Sequence, residues 1–234
     1  MRAAEEAIVL VGGLGTRLRA ELVDLPKPLA PVAGRPFLAY LLDQLAAEGL
    51  RRTILASGYR ADKIESAIGH DWRGMEIVYS VEDEPLGTGG AVAFAAQQLL
   101  GACAHIANGD TFLRFELRSL ERAVEAADAA LGMALAQVPE VGRYGAVEVM
   151  DGRVSAFREK GGHGPGTVNA GSYFVTPEAI AAFPQRKVFS FEEDVLLPMA
   201  NAGRVAVLVD TSDFIDIGVP EDYRIAQRLF AGLA

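Results

Sequence analysis

The stretch Ile8–Leu18 reads IVLVGGLGTRL, and Pro26-Lys27-Pro28 follows it. A run of β-forming residues ends in glycines, a threonine and an arginine, which predicts a strand that stops at a tight turn. Glycine lets the backbone approach a ligand closely, and successive N–H groups in such a turn form an anion-binding concavity. Arg17 and Lys27 add fixed positive charge to a chain whose formal net charge is −9. The pattern therefore indicates a nucleoside triphosphate site after the first strand.

Two other phosphate-binding motifs do not describe this stretch. A dinucleotide-binding fingerprint needs a third glycine, and that position is Leu18. A P-loop needs Gly-Lys-Ser/Thr, whereas Gly15 is followed by Thr16 and Arg17. A plain strand–turn–helix junction would not require Thr-Arg followed by a lysine between two prolines. These comparisons argue against a dinucleotide-dependent dehydrogenase.

The glycine turn resembles the signature loop of the sugar-1-phosphate nucleotidyltransferases, GGxGTRL followed by KP. Other motifs of that family follow in matching order at Glu84–Gly90, Asn108–Asp110, Glu159–Lys160, Asn169–Gly171, Phe191–Glu193 and Asp216–Gly218. Within the family, the chain most resembles the D-glycero-D-manno-heptose 1-phosphate guanylyltransferases. This narrower likeness rests on PLGTGGA, Arg143-Tyr144-Gly145, Phe189–Glu193 and Phe214–Tyr223. The likeness covers roughly residues 7–225, and since the sequence ends at Ala234 we expect no appended acetyltransferase domain. Val11 departs from the Ala or Cys that many relatives have before the glycines.

Composition restricts the class of protein. The chain has 234 residues, enough for one large domain with a substantial core. No apolar run approaches the ~18–20 residues of a membrane span, and the N-terminus lacks the features of a signal peptide. The net charge of −9 argues against nucleic-acid binding, which needs a basic face. We therefore expect a cytoplasmic protein that binds small-molecule substrates and neither nucleic acid nor membranes. The sequence leaves open whether the protein forms a homo-oligomer.

Apolar runs alternate with helical patterns along the chain, which is typical of a mostly parallel sheet between helices. We expect one domain, residues 1–234, with a Rossmann-like three-layer α/β/α nucleotidyltransferase fold (GT-A-like) and a mixed, mostly parallel sheet. Its N-terminal half would bind the nucleotide and its C-terminal half the sugar phosphate. Among the predicted helices are Ala91–Leu100, Ser190–Ala200 and Pro220–Phe230.

Nucleotidyl transfer is an in-line displacement in which a sugar phosphate oxygen attacks the α-phosphorus and pyrophosphate leaves. Both reactants are polyanions and the nucleophile is already an anion, so catalysis should consist of positioning and electrostatic stabilisation. Arg17 fits a clamp on the β- and γ-phosphates, because a guanidinium binds phosphate through two hydrogen bonds. Lys27 fits the α-phosphate as a point charge. The resemblance implies the same two catalytic roles.

Two aspartates are candidates for a metal site. Asp110 follows a predicted strand at its carboxyl end, where open α/β sheets bind ligands. A carboxylate there suits Mg²⁺, although Asn108-Gly109 is also a strong turn signal. Asp216 stands in an otherwise apolar strand, where an unpaired carboxylate is costly. The resemblance implies that Asp110 and Asp216 together hold one Mg²⁺.

The resemblance also divides the remaining site residues between the two substrates. The nucleotide would contact Val11, Gly12, Gly13, Gly15, Thr16, Gly87, Thr88, Gly89 and Asn108. The sugar phosphate would contact Tyr144, Gly145, Glu159, Lys160, Asn169, Gly171 and Glu192, with Glu193 as the alternative to Glu192. In this division the glycines after Leu86 let the base or ribose lie against the backbone, before a helix begins. Lys160 would hold the sugar phosphate.

The implied reaction joins GTP and D-glycero-α-D-manno-heptose 1-phosphate to give GDP-heptose and pyrophosphate. GDP-heptose would be a precursor for a bacterial surface glycan. The same chemistry with mannose, glucose or N-acetylmuramate 1-phosphate stays open, as does UTP, CTP or dTTP in place of GTP. A different class is a non-catalytic, sugar-nucleotide-sensing subunit. Loss of Arg17, Lys27, Asp110 or Asp216 would favour that class, and all four are present.

Overall fold

The computed structural model describes residues 3–13 and 25–232. Gly15, Thr16 and Arg17 lie outside the described residues, so the roles expected of them stay predictions. The strands are β1 (Glu6–Leu10), β2 (Pro31–Val32), β3 (Arg35–Pro36), β4 (Arg52–Ser57), β5 (Asp71–Trp72), β6 (Met75–Val81), β7 (Ala104–Asn108), β8 (Thr111–Arg114), β9 (Leu131–Val138), β10 (Val147–Met150), β11 (Arg153–Phe157), β12 (Gly166–Val175), β13 (Val205–Leu208) and β14 (Ser212–Asp216). The helices are α1 (Phe37–Ala47), α2 (Ala61–Ile68), α3 (Gly87–Ala96), α4 (Leu117–Ala126), α5 (Pro177–Ala181), α6 (Leu197–Asn201) and α7 (Pro220–Phe230).

A ten-stranded sheet forms the centre of the described chain, in the order β10-β11-β13-β9-β12-β7-β1-β4-β6-β5. Strands β7, β1, β4 and β6 are parallel neighbours, and so are β13 and β9. Strand β12 runs antiparallel between β7 and β9. Among the described strands of this sheet, β5, β11 and β12 oppose the common direction. The expected mixed, mostly parallel sheet is confirmed.

Strand β1 shows why the sheet has helices on both faces. Ala7 and Val9 belong to one hydrophobic cluster, which includes residues of α1, α2 and α4. Ile8 belongs to a second cluster, which includes residues of α3, α5 and α6. Alternate side chains of a strand point to opposite faces, and a strand buried on both faces reads as a continuous apolar run. The three-layer α/β/α arrangement is therefore confirmed.

Beside the main sheet, two short strand pairs position the C-terminal helix. Strands β8 and β14 pair with each other, and β2 pairs with β3. A third hydrophobic cluster joins both pairs to α7. Within residues 3–13 and 25–232, no helix is long and apolar enough to cross a membrane.

Several element boundaries differ from the sequence predictions for physical reasons. Helix α3 begins at Gly87 rather than at Ala91, because the glycines form its first turn. The helix expected at Ser190–Ala200 is a π-helical segment, Glu192–Leu196, followed by α6. Pro198 lacks an N–H and its ring crowds the preceding turn, and a wider turn upstream removes that conflict. Strands β2, β3, β5 and β8 were not expected, since two to four residues carry no readable periodicity. The prediction for α7 is confirmed at both ends.

Candidate active site

One lysine contacts two aspartates at the carboxyl ends of the central strands. The Nζ atom of Lys27 lies 2.5 Å from Oδ2 of Asp110 and 3.5 Å from Oδ1 of Asp216. The lysine side chain is 10% exposed, whereas the two carboxylates are 36% and 28% exposed. Most of the lysine side chain is therefore buried, and the two carboxylates that its ammonium contacts are accessible to solvent.

The pairing of β8 with β14 brings the two aspartates together. Asp110 lies between β7 and β8, and Asp216 is the last residue of β14, opposite Thr111. The N–H of Ile217 donates to the carbonyl oxygen of Asp110 at 3.1 Å. A contact between residues 106 positions apart in sequence is thus fixed by backbone hydrogen bonds. Lys27 is thus a protein partner of Asp216, and the Mg²⁺ expected at the two aspartates stays a prediction.

The electrostatics of this cluster leave room for a further cation. Burial raises the pKa of Asp216, and the neighbouring Asp110 carboxylate adds to that rise, while Lys27 and the backbone N–H of Gly218 oppose it. Two carboxylates share one ammonium, so the cluster carries excess negative charge. Among the described residues, no group of three or more His, Cys, Asp or Glu side chains could hold a metal. Mg²⁺ commonly takes one or two carboxylates and completes its shell with phosphate oxygens and waters, and the residues present fit that pattern.

The glycine turn after β1 packs closely against its neighbours. The N–H of Val11 donates to the carbonyl oxygen of Ala56 at 2.9 Å. A Cβ added to Gly12 would lie 3.2 Å from the backbone nitrogen of Gly58, and one added to Gly109 would lie 2.7 Å from Val11. The glycine between Asn108 and Asp110 is therefore needed for this close approach, in addition to the turn.

A cavity of about 760 Å³ lies at this edge of the sheet. Residues expected at the nucleotide or metal site line it: Val11, Gly12, Gly13, Lys27, Gly87, Thr88, Asn108 and Asp110. The sequence analysis missed other lining residues, among them Gly58, Tyr59, Glu82 and Gly218. Strands β4 and β6 end at Ser57 and Val81, and parallel strands bind ligands beyond their carboxyl ends. That rule, applied to each predicted strand, would have found Gly58 and Glu82.

The glycines of α3 serve two different purposes. Gly87 lines the cavity, but a Cβ added to Gly89 would lie 2.3 Å from the ring of Phe189. One added to Gly90 would lie 2.2 Å from the carbonyl oxygen of Lys187. Gly89 and Gly90 thus let the segment before the π-helical turn pack directly on the helix. Gly89 is not one of the described residues that line the cavity. Its expected contact with the nucleotide stays a prediction.

A network on β12 and the π-helical turn gathers the residues expected to bind the sugar. The amide nitrogen of Asn169 donates to the Tyr173 hydroxyl at 2.8 Å and to Oε1 of Glu192 at 3.3 Å. The pairing of β12 with β9 is irregular between Asn169 and Ser172. Gly171 has φ +66°, and a Cβ there would lie 2.4 Å from the Asn108 amide. The irregularity therefore sets the predicted sugar residues against the end of β7.

The choice between Glu192 and Glu193 has a structural basis. Glu192 contacts Asn169, whereas the N–H of Glu193 donates to the Ser190 hydroxyl at 3.2 Å. Ser190 thus caps the start of this helical segment, and Asp194 accepts the reciprocal bond from the Ser190 N–H at 2.8 Å. Glu192 is the glutamate that joins the sugar-side network.

The turn at Tyr144 packs against the strand that carries Asp216. The Tyr144 ring meets Phe214 edge-on at 5.5 Å, and the guanidinium of Arg143 lies 5.1 Å from the Tyr144 ring centre. Arg143 donates to the buried carboxylate of Asp222 at 2.5 Å. Burial and the Asp222 carboxylate raise the pKa of Tyr144 to about 12, so its hydroxyl stays protonated at neutral pH.

The remaining sugar-side residues lie around the loop after β11. Gly145 has φ +81°, and a Cβ there would lie 2.6 Å from the carbonyl oxygen of Arg158. The backbone geometry at position 145 therefore requires glycine. Glu159 and Lys160 are exposed in the turn after β11, which ends at Phe157. The structure does not test the sugar-phosphate contacts expected of these three residues.

Sequence comparisons identify similar proteins over nearly the whole chain. The profile of the family described as nucleotidyl transferase matches residues 6–231. The chain is 41% identical to a D-glycero-alpha-D-manno-heptose 1-phosphate guanylyltransferase of Aneurinibacillus thermoaerophilus, over 95% of this chain and 97% of that protein. A protein of the same name from Campylobacter jejuni is 37% identical, over 93% and 96%. The mannose-1-phosphate guanylyltransferase of Mycobacterium tuberculosis is 36% identical, over 98% of this chain but 66% of its own length.

A solved structure shows the same architecture. HddC from Yersinia pseudotuberculosis, complexed with GMP-PN, superposes with a TM-score of 0.85 at 35% identity, over 96% of this chain and 99% of that one. The described elements are therefore assembled as in that protein.

Proposed function

This chain belongs to the nucleotidyl transferase family, and from that premise we propose that it transfers a guanylyl group from GTP to D-glycero-α-D-manno-heptose 1-phosphate. The products are GDP-heptose and pyrophosphate. The observation that carries the proposal is the contact of Lys27 with Asp110 and Asp216 beside the cavity. The proposal places the reaction in the cytoplasm and its product in surface polysaccharide biosynthesis.

The proposed chemistry needs charge stabilisation more than proton transfer. A sugar phosphate oxygen bonds to the α-phosphorus while the bond from that phosphorus to the pyrophosphate oxygen breaks. The ammonium of Lys27 supplies positive charge where negative charge develops at the α-phosphate, and preorganised charge of this kind is the main source of catalysis. The position of Lys27 between two carboxylates aims it before the substrate arrives. Arg17 keeps its predicted role on the β- and γ-phosphates.

Asp110 and Asp216 would hold the Mg²⁺ that the proposal includes. The metal would neutralise phosphate charge and act as a Lewis acid on the phosphoryl oxygens. The excess negative charge of the aspartate pair supports this assignment, since the pKa of Asp216 is already raised by burial and by Asp110. Gly218 contributes a backbone N–H to Asp216, which orients the carboxylate.

The acidic lining of the cavity supports guanine as the base. Glu82 lies after the carboxyl end of β6 and lines the cavity beside Gly58. Its Oε2 accepts a hydrogen bond from the N–H of Leu86 at 3.2 Å, which fixes the carboxylate. An ionised carboxylate only accepts hydrogen bonds, and the Watson–Crick edge of guanine offers two neighbouring N–H donors. Glu82 is therefore the residue we assign to base selection.

The hydroxyl groups of the sugar would be held by the network of Asn169 and Glu192, and its phosphate by Lys160. Mannose 1-phosphate is the second candidate, because a mannose-1-phosphate guanylyltransferase is among the similar proteins. In both cases the bond changes and the roles of Lys27, Asp110 and Asp216 are the same. The two candidates differ only in the contacts to the sugar ring.

Pyrophosphate release tests the proposal directly. The protein is incubated with Mg²⁺ and each combination of GTP, UTP, CTP or dTTP with heptose, mannose, glucose or N-acetylmuramate 1-phosphate. We expect turnover with GTP and the heptose phosphate to exceed every other combination. Turnover confined to another pair would correct the specificity and keep the mechanism. No release with any pair would contradict the proposed activity and favour the sugar-nucleotide-sensing subunit.

A further inference from the structure

A small hydrophobic cluster is built from residues that flank the three charged side chains of the site. Ala30 and Val32 follow Lys27, Phe112 follows Asp110, and Ile215 and Ile217 flank Asp216; all five are buried in this cluster. The cluster is completed by Ala226 and Phe230 of helix α7, each 0% exposed. The three segments that bring Lys27, Asp110 and Asp216 together therefore share one packing partner, the C-terminal helix.

Aromatic packing fixes the end of this helix. The ring of Phe230 stacks on Tyr40 with centroids 4.1 Å apart and meets Phe112 edge-on at 5.1 Å. Tyr40 in turn donates its hydroxyl to the carbonyl oxygen of Val32 at 2.9 Å. Well-packed cores change position very little, so this end of α7 is a rigid reference for the strands around it.

Hydrogen bonds from α7 hold the segment that follows Lys27. Oε1 of Gln227 accepts the N–H of Ala33 at 2.8 Å, and its Nε2 donates to the carbonyl oxygen of Pro31 at 2.7 Å. The hydroxyl of Tyr223 donates to the same carbonyl at 2.6 Å. Strands β2 and β3 have two residues each, and an isolated hairpin is marginal even at greater length. Helix α7 thus holds this hairpin through three hydrogen bonds, in addition to the bond from Tyr40 of α1.

The hairpin is linked to Lys27 by a short, constrained stretch of chain. Pro28 and Leu29 form a 3-10 turn with Lys27, and the N–H of Ala30 donates to the Lys27 carbonyl at 3.0 Å. Pro31, the first residue of the hairpin, comes next. A displacement of the hairpin therefore moves the Lys27 backbone, with few rotatable bonds to absorb it.

We propose that Gln227 is a positioning residue, which sets the Lys27 ammonium against Asp110 and Asp216 by tying the β2–β3 hairpin to α7. The inference rests on the proposed function, because it concerns the same transfer reaction. Gln227 itself touches none of the reacting groups; it acts through Lys27. Misplacement of a catalytic group by about 1 Å can cost about 100-fold in rate. The loss of the two Gln227 hydrogen bonds should therefore lower the rate measurably, although Gln227 does not contact the reacting groups.

The test replaces Gln227 with a side chain of similar length that forms neither bond. Gln227→Met should lower kcat for pyrophosphate release by about 10- to 100-fold, with little change in KM for either substrate. In a Lys27→Met background, Gln227→Met should cause no further loss, because the residue through which it acts is gone. A purely structural role would lower activity by the same factor in both backgrounds.

Thr176→Val is the matched control. Thr176 also donates to one backbone carbonyl, that of Ala130 at 2.9 Å, and accepts one backbone N–H, that of Ala179 at 3.3 Å. It lies beyond Val175, which pairs with Ala104 at the start of β7, at the opposite edge of the sheet from the site. Thr176→Val should lower the thermal unfolding temperature and leave kcat near the wild-type value.

The outcomes separate the inference from the proposed function. A selective loss of kcat in Gln227→Met, abolished in the Lys27→Met background, supports the inference. Wild-type kcat in Gln227→Met, or an equal loss in Thr176→Val, overturns it while the proposed function stands. A wild-type protein that releases no pyrophosphate with any substrate pair overturns the proposed function and the inference with it.

Discussion

The ammonium of Lys27 lies 2.5 Å from the Asp110 carboxylate, although the two residues are 83 positions apart in sequence. This ion pair is formed at the end of the central strands, where the cavity is lined by both residues. A buried lysine held by a carboxylate is aimed rather than mobile, so its charge is available at one place. The contact thus links the fold to the proposed transfer chemistry.

Lys27→Met should abolish most of the activity. We expect kcat to fall by at least about 100-fold, since removal of one preorganised electrostatic group typically costs 100- to 1,000-fold. Steady-state pyrophosphate release measures the loss, and Lys63→Met on α2 is the control lysine variant, with activity expected near wild type. A Lys27→Met protein that keeps wild-type kcat would remove this lysine from the mechanism.

Asp216→Asn should stabilise the fold relative to wild type as the pH rises, but it should abolish the activity. Burial, reinforced by Asp110, raises the folded-state pKa of Asp216, so the carboxyl group contributes stability below its unfolded pKa, about 3.9. That contribution is lost as the pH rises through the folded-state pKa. The free energy of unfolding of the variant, relative to wild type, should therefore rise as the pH increases above about 4. Urea denaturation across this range measures it, while Mg²⁺-dependent turnover should be lost. The opposite pH trend would mean that the pairing with Lys27 outweighs burial.

Glu82→Gln should weaken the preference for GTP. The amide oxygen is a neutral acceptor, and hydrogen bonds to charged groups contribute about 1.5–3 kcal/mol, so kcat/KM for GTP should fall by about 10- to 100-fold. The values for UTP, CTP and dTTP should change much less. Glu125→Gln serves as the control, because Glu125 is an exposed glutamate on α4 that does not line the cavity. Equal changes for all four nucleotides would contradict the assignment of Glu82 to base selection.

Gly90→Ala should destabilise the fold. The added methyl group would lie 2.2 Å from the carbonyl oxygen of Lys187, and overpacking of this kind costs about 1–3 kcal/mol. Gly162→Ala is the comparison, because its new contact would be an ordinary one, 3.5 Å from Val141. Denaturant titration of both variants measures the difference. A Gly90→Ala protein as stable as Gly162→Ala would show that the segment before the π-helical turn can move away from α3.

Lys160→Ala should affect one substrate more than the other. If the exposed side chain of Lys160 binds the sugar phosphate, KM for that substrate should rise several-fold more than KM for GTP. Initial-rate kinetics with each substrate varied in turn give both values. A rise confined to the KM of GTP would place Lys160 in the nucleotide subsite.

Much of the fold was predictable because its strands and helices carry strong patterns. Helix α7 has the predicted boundaries, Pro220–Phe230, since apolar periodicity is clear along it. The π-helical turn was not predictable, because its cause is a conflict between Pro198 and the preceding turn rather than a change in periodicity. The early start of α3 was missed because glycine disfavours helices in isolation, while close packing against Phe189 and Lys187 requires it here.

The site was predictable where a motif is local and less so where it depends on packing. Lys27, Asp110 and Asp216 were identified from their motifs, but the two aspartates are brought together by the pairing of β8 with β14. Glu82 carries no motif of its own and becomes a candidate only because β6 ends beside the cavity. Gln227 lies one helical turn beyond Tyr223, the last residue of the C-terminal motif, and only its two hydrogen bonds draw attention to it.

Product analysis tests the central claim most directly. The protein is incubated with GTP, D-glycero-α-D-manno-heptose 1-phosphate and Mg²⁺, and the products are identified by mass spectrometry. The account predicts GDP-heptose and pyrophosphate in equal amounts, with neither formed when the sugar phosphate is omitted. GDP and inorganic phosphate in place of these products, or no consumption of GTP, would contradict it.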